Sequence, residues 1–131
     1  MHLPTLDEID LMLARNRQLS TPFLMMDENR LRETCRAFHQ GFPEAGVYYS
    51  VKANNDPRVL ALVADEGLGF DIASAGELDQ LLALNIPPEK IIYCAPTKIP
   101  AHIARAAAAG VRSFAFDSAA ELDKLAELAP G

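Results

Sequence analysis

The sequence predicts an α/β fold, about the first four βα units of a parallel (β/α)8 barrel. Three observations predict it. Apolar, strand-like runs begin at Val47, Gly69, Ile91 and Ser113, a recurrence of about 22 residues. Helical stretches lie between them, and strict alternation imposes right-handed crossovers and parallel pairing. The first strand-to-helix turn reads Lys52-Ala-Asn-Asn-Asp56, which is neither the Gly-x-Gly-x-x-Gly turn of a dinucleotide-binding sheet nor a P-loop. The short, even units favour the barrel over the doubly wound sheet.

The N-terminal part, residues 1–46, reads as a helix, a short strand and a second helix leading into the barrel. Thr5-Leu-Asp-Glu8 has the capping-box pattern, and Leu6, Ile9, Leu11, Met12 and Leu13 follow at roughly helical spacing, predicting a helix over 6–18. Ser20-Thr21-Pro22 breaks it. Phe23 to Met26 is a short apolar run read as a strand, and Asp27 caps a helix over about 28–40 with Leu31, Cys35 and Phe38 on one face. Residues 47–131 then read as half a barrel. The predicted strands are Val47–Lys52, Gly69–Ala73, Ile91–Ala95 and Ser113–Asp117, and the predicted helices cover about 57–66, 75–84, 100–109 and 118–128. Asp56-Pro57 supplies an N-cap followed by proline at the first helical position. Gly67, Pro87-Pro88 and Gly110 stop helices, and Ser74 and Ser118 start them. Tyr48 and Tyr49 alternate, one toward the barrel interior and one toward the helices. The alanines at 106–109 are close-packing helix residues.

A complete barrel takes about 250 residues. Four parallel strands leave two open edges and one uncovered face. The expectation is the N-terminal half of a larger protein, a truncated reading frame, or a half-barrel that associates.

Half of the residues are apolar and 23% are charged, the balance of an ordinary globular protein. A net charge of −6 gives no electrostatic footprint for nucleic acid or an acidic membrane and suits a small cationic substrate. The two cysteines, Cys35 and Cys94, lack metal-ligand spacing and read as buried or semi-buried thiols of a reducing compartment. Met1 to Arg17 is interrupted by acids and bases, unlike a signal peptide, and no apolar run reaches membrane-spanning length. The expected location is the cytoplasm.

Ligand sites of parallel α/β folds lie at the carboxyl ends of the strands. Lys52 stands at the first of these ends. A lysine desolvated there becomes a neutral amine that attacks a carbonyl, the chemistry of a Schiff base with pyridoxal phosphate. The competing reading is a strand-end lysine that reaches solvent or pairs with a carboxylate. Asp71 stands on the neighbouring strand and could approach Lys52 across the inter-strand spacing of about 5 Å. Ser74-Ala-Gly-Glu77 matches a capping box, so Glu77 is open between cap and site, whereas Ser118-Ala-Ala-Glu121 is read as a cap. Asp117 is a loop or helix-start acid, Lys98 faces solvent, and His2, His39 and His102 are surface or helix residues.

Tyr49-Ser-Val-Lys-Ala-Asn54, followed by Gly69-Phe-Asp-Ile-Ala-Ser74 and Glu77, resembles the start of the fold-type III pyridoxal-phosphate decarboxylases. These are the ornithine, lysine, arginine and diaminopimelate enzymes, built on an alanine-racemase-like barrel. The similarity spans about residues 21–130, and Ile91-Ile-Tyr-Cys-Ala-Pro-Thr-Lys98 with Phe116-Asp-Ser118 resembles the ornithine/lysine branch more than the diaminopimelate branch. The resemblance implies the following roles. Lys52 attaches pyridoxal 5'-phosphate and later returns a proton, Asp71 is the acid beside cofactor and lysine, Glu77 lines the same pocket, and Ser50 and Ala73 pack near the ring. It implies a basic amino acid substrate, ornithine foremost, giving putrescine for polyamine synthesis, and a homodimeric full-length parent. The family's glycine-rich phosphate site, ring-stacking histidine, ring-nitrogen carboxylate, β-domain and interface cysteine all fall beyond residue 131. The chain alone is therefore expected to be inactive or nearly so. The alternative expectation is a non-catalytic homologue, or a half-barrel that acts by associating with a partner chain.

Overall fold

The computed structural model describes residues 4–20 and 22–131; His2 and the Thr21 of the expected helix break lie outside them. The described chain runs α1 (Leu6–Arg15), α2 (Glu28–Gly41), β1 (Tyr48–Ser50), α3 (Pro57–Asp65), β2 (Gly69–Ile72), α4 (Ala75–Ala83), β3 (Ile91–Tyr93), α5 (Pro100–Ala109), β4 (Ser113–Phe114) and α6 (Ala119–Leu128). The four strands form one parallel sheet in the order β1-β2-β3-β4. Spatial order follows chain order, as four successive βα units of a barrel require.

Local chemistry sets the helix ends. Thr5 and Glu8 complete the expected capping box at α1. That helix stops at Arg15, three residues before its expected end, because the Asn16 amide folds back onto the Met12 carbonyl at 2.8 Å. Asp27 caps α2 by accepting from the Asn29 and Arg30 N–H groups. Asp56 caps α3 with Pro57 in the first turn, and Ser74 and Ser118 cap α4 and α6. Helix α4 closes through Asn85 at φ 57°, ahead of the prolines expected to stop it. Helix α5 ends at Gly110, whose φ of 100° suits a residue without a Cβ.

The apolar pattern then fixes the layers. Phe70, Ile72, Ile91 and Tyr93 point from the sheet into one core with Leu60 and Val63 of α3, Leu78 and Leu81 of α4, and Ala106 of α5. Within the alanine run only Ala106 is fully buried, so its small size sets how closely α5 packs. Helix α2 adds Cys35 to that core and is tied to the end of α3 by Arg32 and Arg36, both bonded to Glu66. The opposite sheet face carries Tyr48, Ser50, Asp71 and Ile92, which are half-buried or exposed. Tyr49 takes the helix side, edge-on to Phe70, and Tyr48 the interior side, over Gly69.

Two expectations fail. Phe23 to Met26 is not a strand: the described sheet takes none of these residues, and without a ladder partner an apolar run cannot become one. The strands are also shorter than their apolar runs. β1 stops at Ser50, and Val51–Ala53 is a single 3₁₀ turn, drawn round by the Tyr49 hydroxyl donating to the Asn54 carbonyl at 3.1 Å.

Candidate functional site

The strand-to-helix loops at the carboxyl ends of β1 to β4 form one rim. Lys52 lies in the middle of the 3₁₀ turn after β1, exposed on the rim. The apolar burial expected for it is absent, because the turn lifts it clear of the sheet. Asn54 shapes the rest of this loop, its side-chain oxygen accepting from the Asp56 N–H at 2.9 Å. Asp56 in turn holds Arg58 at 2.9 Å, and these bonds bring the Asp56 carboxyl down to about 2.

Ser50 and Asp71 are register partners in β1 and β2, so their side chains stand together on the open face. The expected approach of Lys52 to Asp71 is not made: no ion pair joins them among the described residues. Cys94, two residues beyond Asp71's register partner Ile92, is the neighbour of that carboxylate instead. Burial, then the Asp71 charge and hydrogen bond, push its thiol up, with Lys98 opposing. At the end of β2, the Glu77 carboxylate accepts from the Ala73 N–H at 2.5 Å, while the Glu77 N–H donates to Ser74 Oγ. The capping box is thus shifted by one residue, and Glu77 is folded over the loop that holds Ala73.

The structure brings Ser50 beside Asp71, and Ala73 beside Glu77, with Lys52 at the near edge. The other lysines are tied down. Lys90 donates to the Gly67 carbonyl, and Lys124 donates to the Lys98 carbonyl and pairs with Glu121. Lys98 overturns the solvent-facing expectation: its side chain is fully buried, 3.4 Å from Glu121, and donates to the carbonyls of Ala95 and Ala115. Glu121 is correspondingly more than a cap. Its carboxylate accepts from the Lys98 N–H and pairs with Lys124, and the Lys124 hydrogen bond first among these holds it below the usual carboxylate range. Spacing alone could not show this, since Lys98 and Glu121 meet only across the β4 unit.

The residues at the rim fit pyridoxal phosphate. Lys52 offers an amine with no partner among the described residues, and the small side chains of Ser50 and Ala73 keep the adjoining surface low. His102 accepts from the Ala75 N–H at 3.5 Å, behind the loop, and His39 contacts the Glu66 carbonyl. Two concavities are lined in part by Met26 and its neighbours. One of about 400 Å³ is lined by Leu24, Met26, Asn54, Arg58 and Leu62, and one of about 790 Å³ by Leu11, Met12, Met25 and Met26. No helix among the described residues is long and apolar enough to cross a membrane.

Residues 28–131 match the family described as the pyridoxal-dependent decarboxylase, pyridoxal binding domain. The lysine/ornithine decarboxylase of Selenomonas ruminantium is 38% identical over 115 residues, covering 88% of this chain and 29% of the relative. The ornithine decarboxylase of Schizosaccharomyces pombe is 37% identical over 127 residues, covering 96% of this chain and 29% of the relative. The crystal structure of the Vibrio vulnificus lysine/ornithine decarboxylase complexed with putrescine gives a TM-score of 0.85 at 30% identity, over 95% of this chain and 34% of that one. The chain spans less than a third of the length of the two curated relatives. The four βα units, the rim they build and the match over most of its length show that this chain belongs to the pyridoxal-dependent decarboxylases, through their pyridoxal-binding domain.

Proposed function

We propose that this chain carries the cofactor-attaching lysine of a decarboxylase for a basic amino acid, with ornithine the favoured substrate. The carrying observation is Lys52: among the described residues it is the one lysine whose amine takes no hydrogen bond or ion pair, and it follows Ser50, the register partner of Asp71, at the strand ends. Pyridoxal phosphate, when bound, supplies an electron sink for the charge left when a carboxylate departs. Lys52 would hold the cofactor through its Nζ, with the aldehyde oxygen leaving as water, and would carry a proton back to the substrate's α-carbon. Asp71 places a carboxylate beside Ser50 on the open sheet face, toward the cofactor. Glu77 keeps the loop at Ala73 in place and adds negative charge to the mouth, and Ser50 and Ala73 leave room for a flat ring. The bound putrescine of the Vibrio enzyme is the diamine that ornithine yields, which supports a place in polyamine synthesis. The reading carries with it a cytoplasmic location and a homodimeric full-length parent.

The test uses the purified chain with pyridoxal phosphate, borohydride reduction and peptide mapping. Label concentrated on Lys52, lost in Lys52→Ala, is the expected result. Even labelling of all four lysines would sink the assignment. Carbon dioxide release from ornithine, lysine, arginine or diaminopimelate by this chain alone is expected to stay at background, because the roles given to segments beyond residue 131 go unfilled. The open sheet face and the free edges at β1 and β4 favour a second reading, a half-barrel that works by association. Absent label together with a stable complex on light scattering would support that one.

A further inference from the structure

The buried ion network at the ends of β3 and β4 has no part in the chemistry assigned to Lys52. Desolvating an ammonium is costly, so Lys98 can stay buried only among acceptors. Four surround it and share its three N–H groups: the Ala95 carbonyl at 2.9 Å, the Ala115 carbonyl, Glu121 Oε2 at 3.4 Å and the Pro96 carbonyl at 3.5 Å. One atom thereby joins the end of β3, the end of β4 and helix α6. The same ammonium lies 6.0 Å from the centroid of the Tyr93 ring. The Tyr93 hydroxyl donates to the Ala73 carbonyl at 3.3 Å, and the Ala73 N–H donates to Glu77. Both polar groups of the Ala73 peptide region are thus held, one from β3 and one from α4. Burial, and then the Glu77 charge, push the Tyr93 phenol up, so it remains a donor.

We propose that Lys98 and Tyr93 are positioning residues, which set the Ala73–Glu77 loop from beneath by a path of contacts running from α6 to the rim. The proposal rests on the reading above in one respect, that this loop faces the cofactor. Hydrogen exchange of the 131-residue chain, followed by mass spectrometry, tests it in Tyr93→Phe, Lys98→Met and the double variant. The peptide covering 71–77 is expected to exchange about tenfold faster in each single variant, the scale of one lost hydrogen bond. Tyr48–Ser50 is expected to keep its wild-type rate, and the double variant to exchange no faster than Tyr93→Phe, since both act on one path. A wild-type rate at 71–77 in either folded single variant overturns the proposal. So does equal acceleration of every strand, the mark of global destabilisation. Tyr93→Phe, the loss of one oxygen, keeps the test decisive even where Lys98→Met does not fold. Borohydride labelling of Lys52 is read separately: its absence in the wild type removes the cofactor assignment and leaves the exchange result standing.

Discussion

Cys94 is half-buried beside Asp71, and the two causes that raise its thiol, burial first and the carboxylate second, can be separated by substitution. Asp71→Asn keeps the burial and removes the charge. Its thiol is therefore expected to alkylate faster than wild type with iodoacetamide at pH 8, and an unchanged rate would show that the carboxylate exerts no influence there. Gly69 is a second position where single atoms decide. A Cβ there would stand 2.4 Å from the Tyr48 ring and 2.9 Å from the Lys90 carbonyl, and the carbonyl cannot swing away as a side chain can. Gly69→Ala is expected to lose about 1–3 kcal/mol in urea unfolding, the usual range for overpacking.

Each βα element depends on one large strand residue seated among helix side chains. Phe70 is fully buried against Tyr49 and the α3–α4 layer. Phe70→Ala is expected to cost about 3–5 kcal/mol by the same measurement, and a loss below 1 kcal/mol would mean that the layer collapses onto the space. Elements with such anchors were legible in the sequence, because apolar period, Ser and Asp caps and the Gly110 stop are all local signals. Phe23 to Met26 misled for the converse reason: its composition suits a strand, but a strand also needs a neighbour, which composition does not encode. The site divides in the same way. The places of Lys52 and Asp71 near the strand ends followed from spacing and Ser50 from the family resemblance, whereas the 3₁₀ turn that exposes Lys52 depends on one Tyr49 hydrogen bond. The burial of Lys98 depends on Glu121, 23 residues further along.

At the scale of the molecule, Asp56 is held below its ordinary range by Arg58, Glu66 by Arg36 and Arg32, and Glu121 by Lys124 and Lys98. A lowered folded value means that their contribution is complete above the unfolded value and disappears as pH falls through the folded one. For Asp56 that window runs from 3.8 down to about 2. Urea midpoints are expected to fall steadily on acidification below about pH 4.5, and Glu66→Gln to flatten the slope; a midpoint constant from pH 6 to 3 would contradict this. The sheet order has a separate consequence, for synthesis. Because β1-β2-β3-β4 is also the order of the chain, each strand after β1 leaves the ribosome when its earlier partner is already made. The nascent chain can grow vectorially: once β2 has joined β1, every new unit docks on a finished edge.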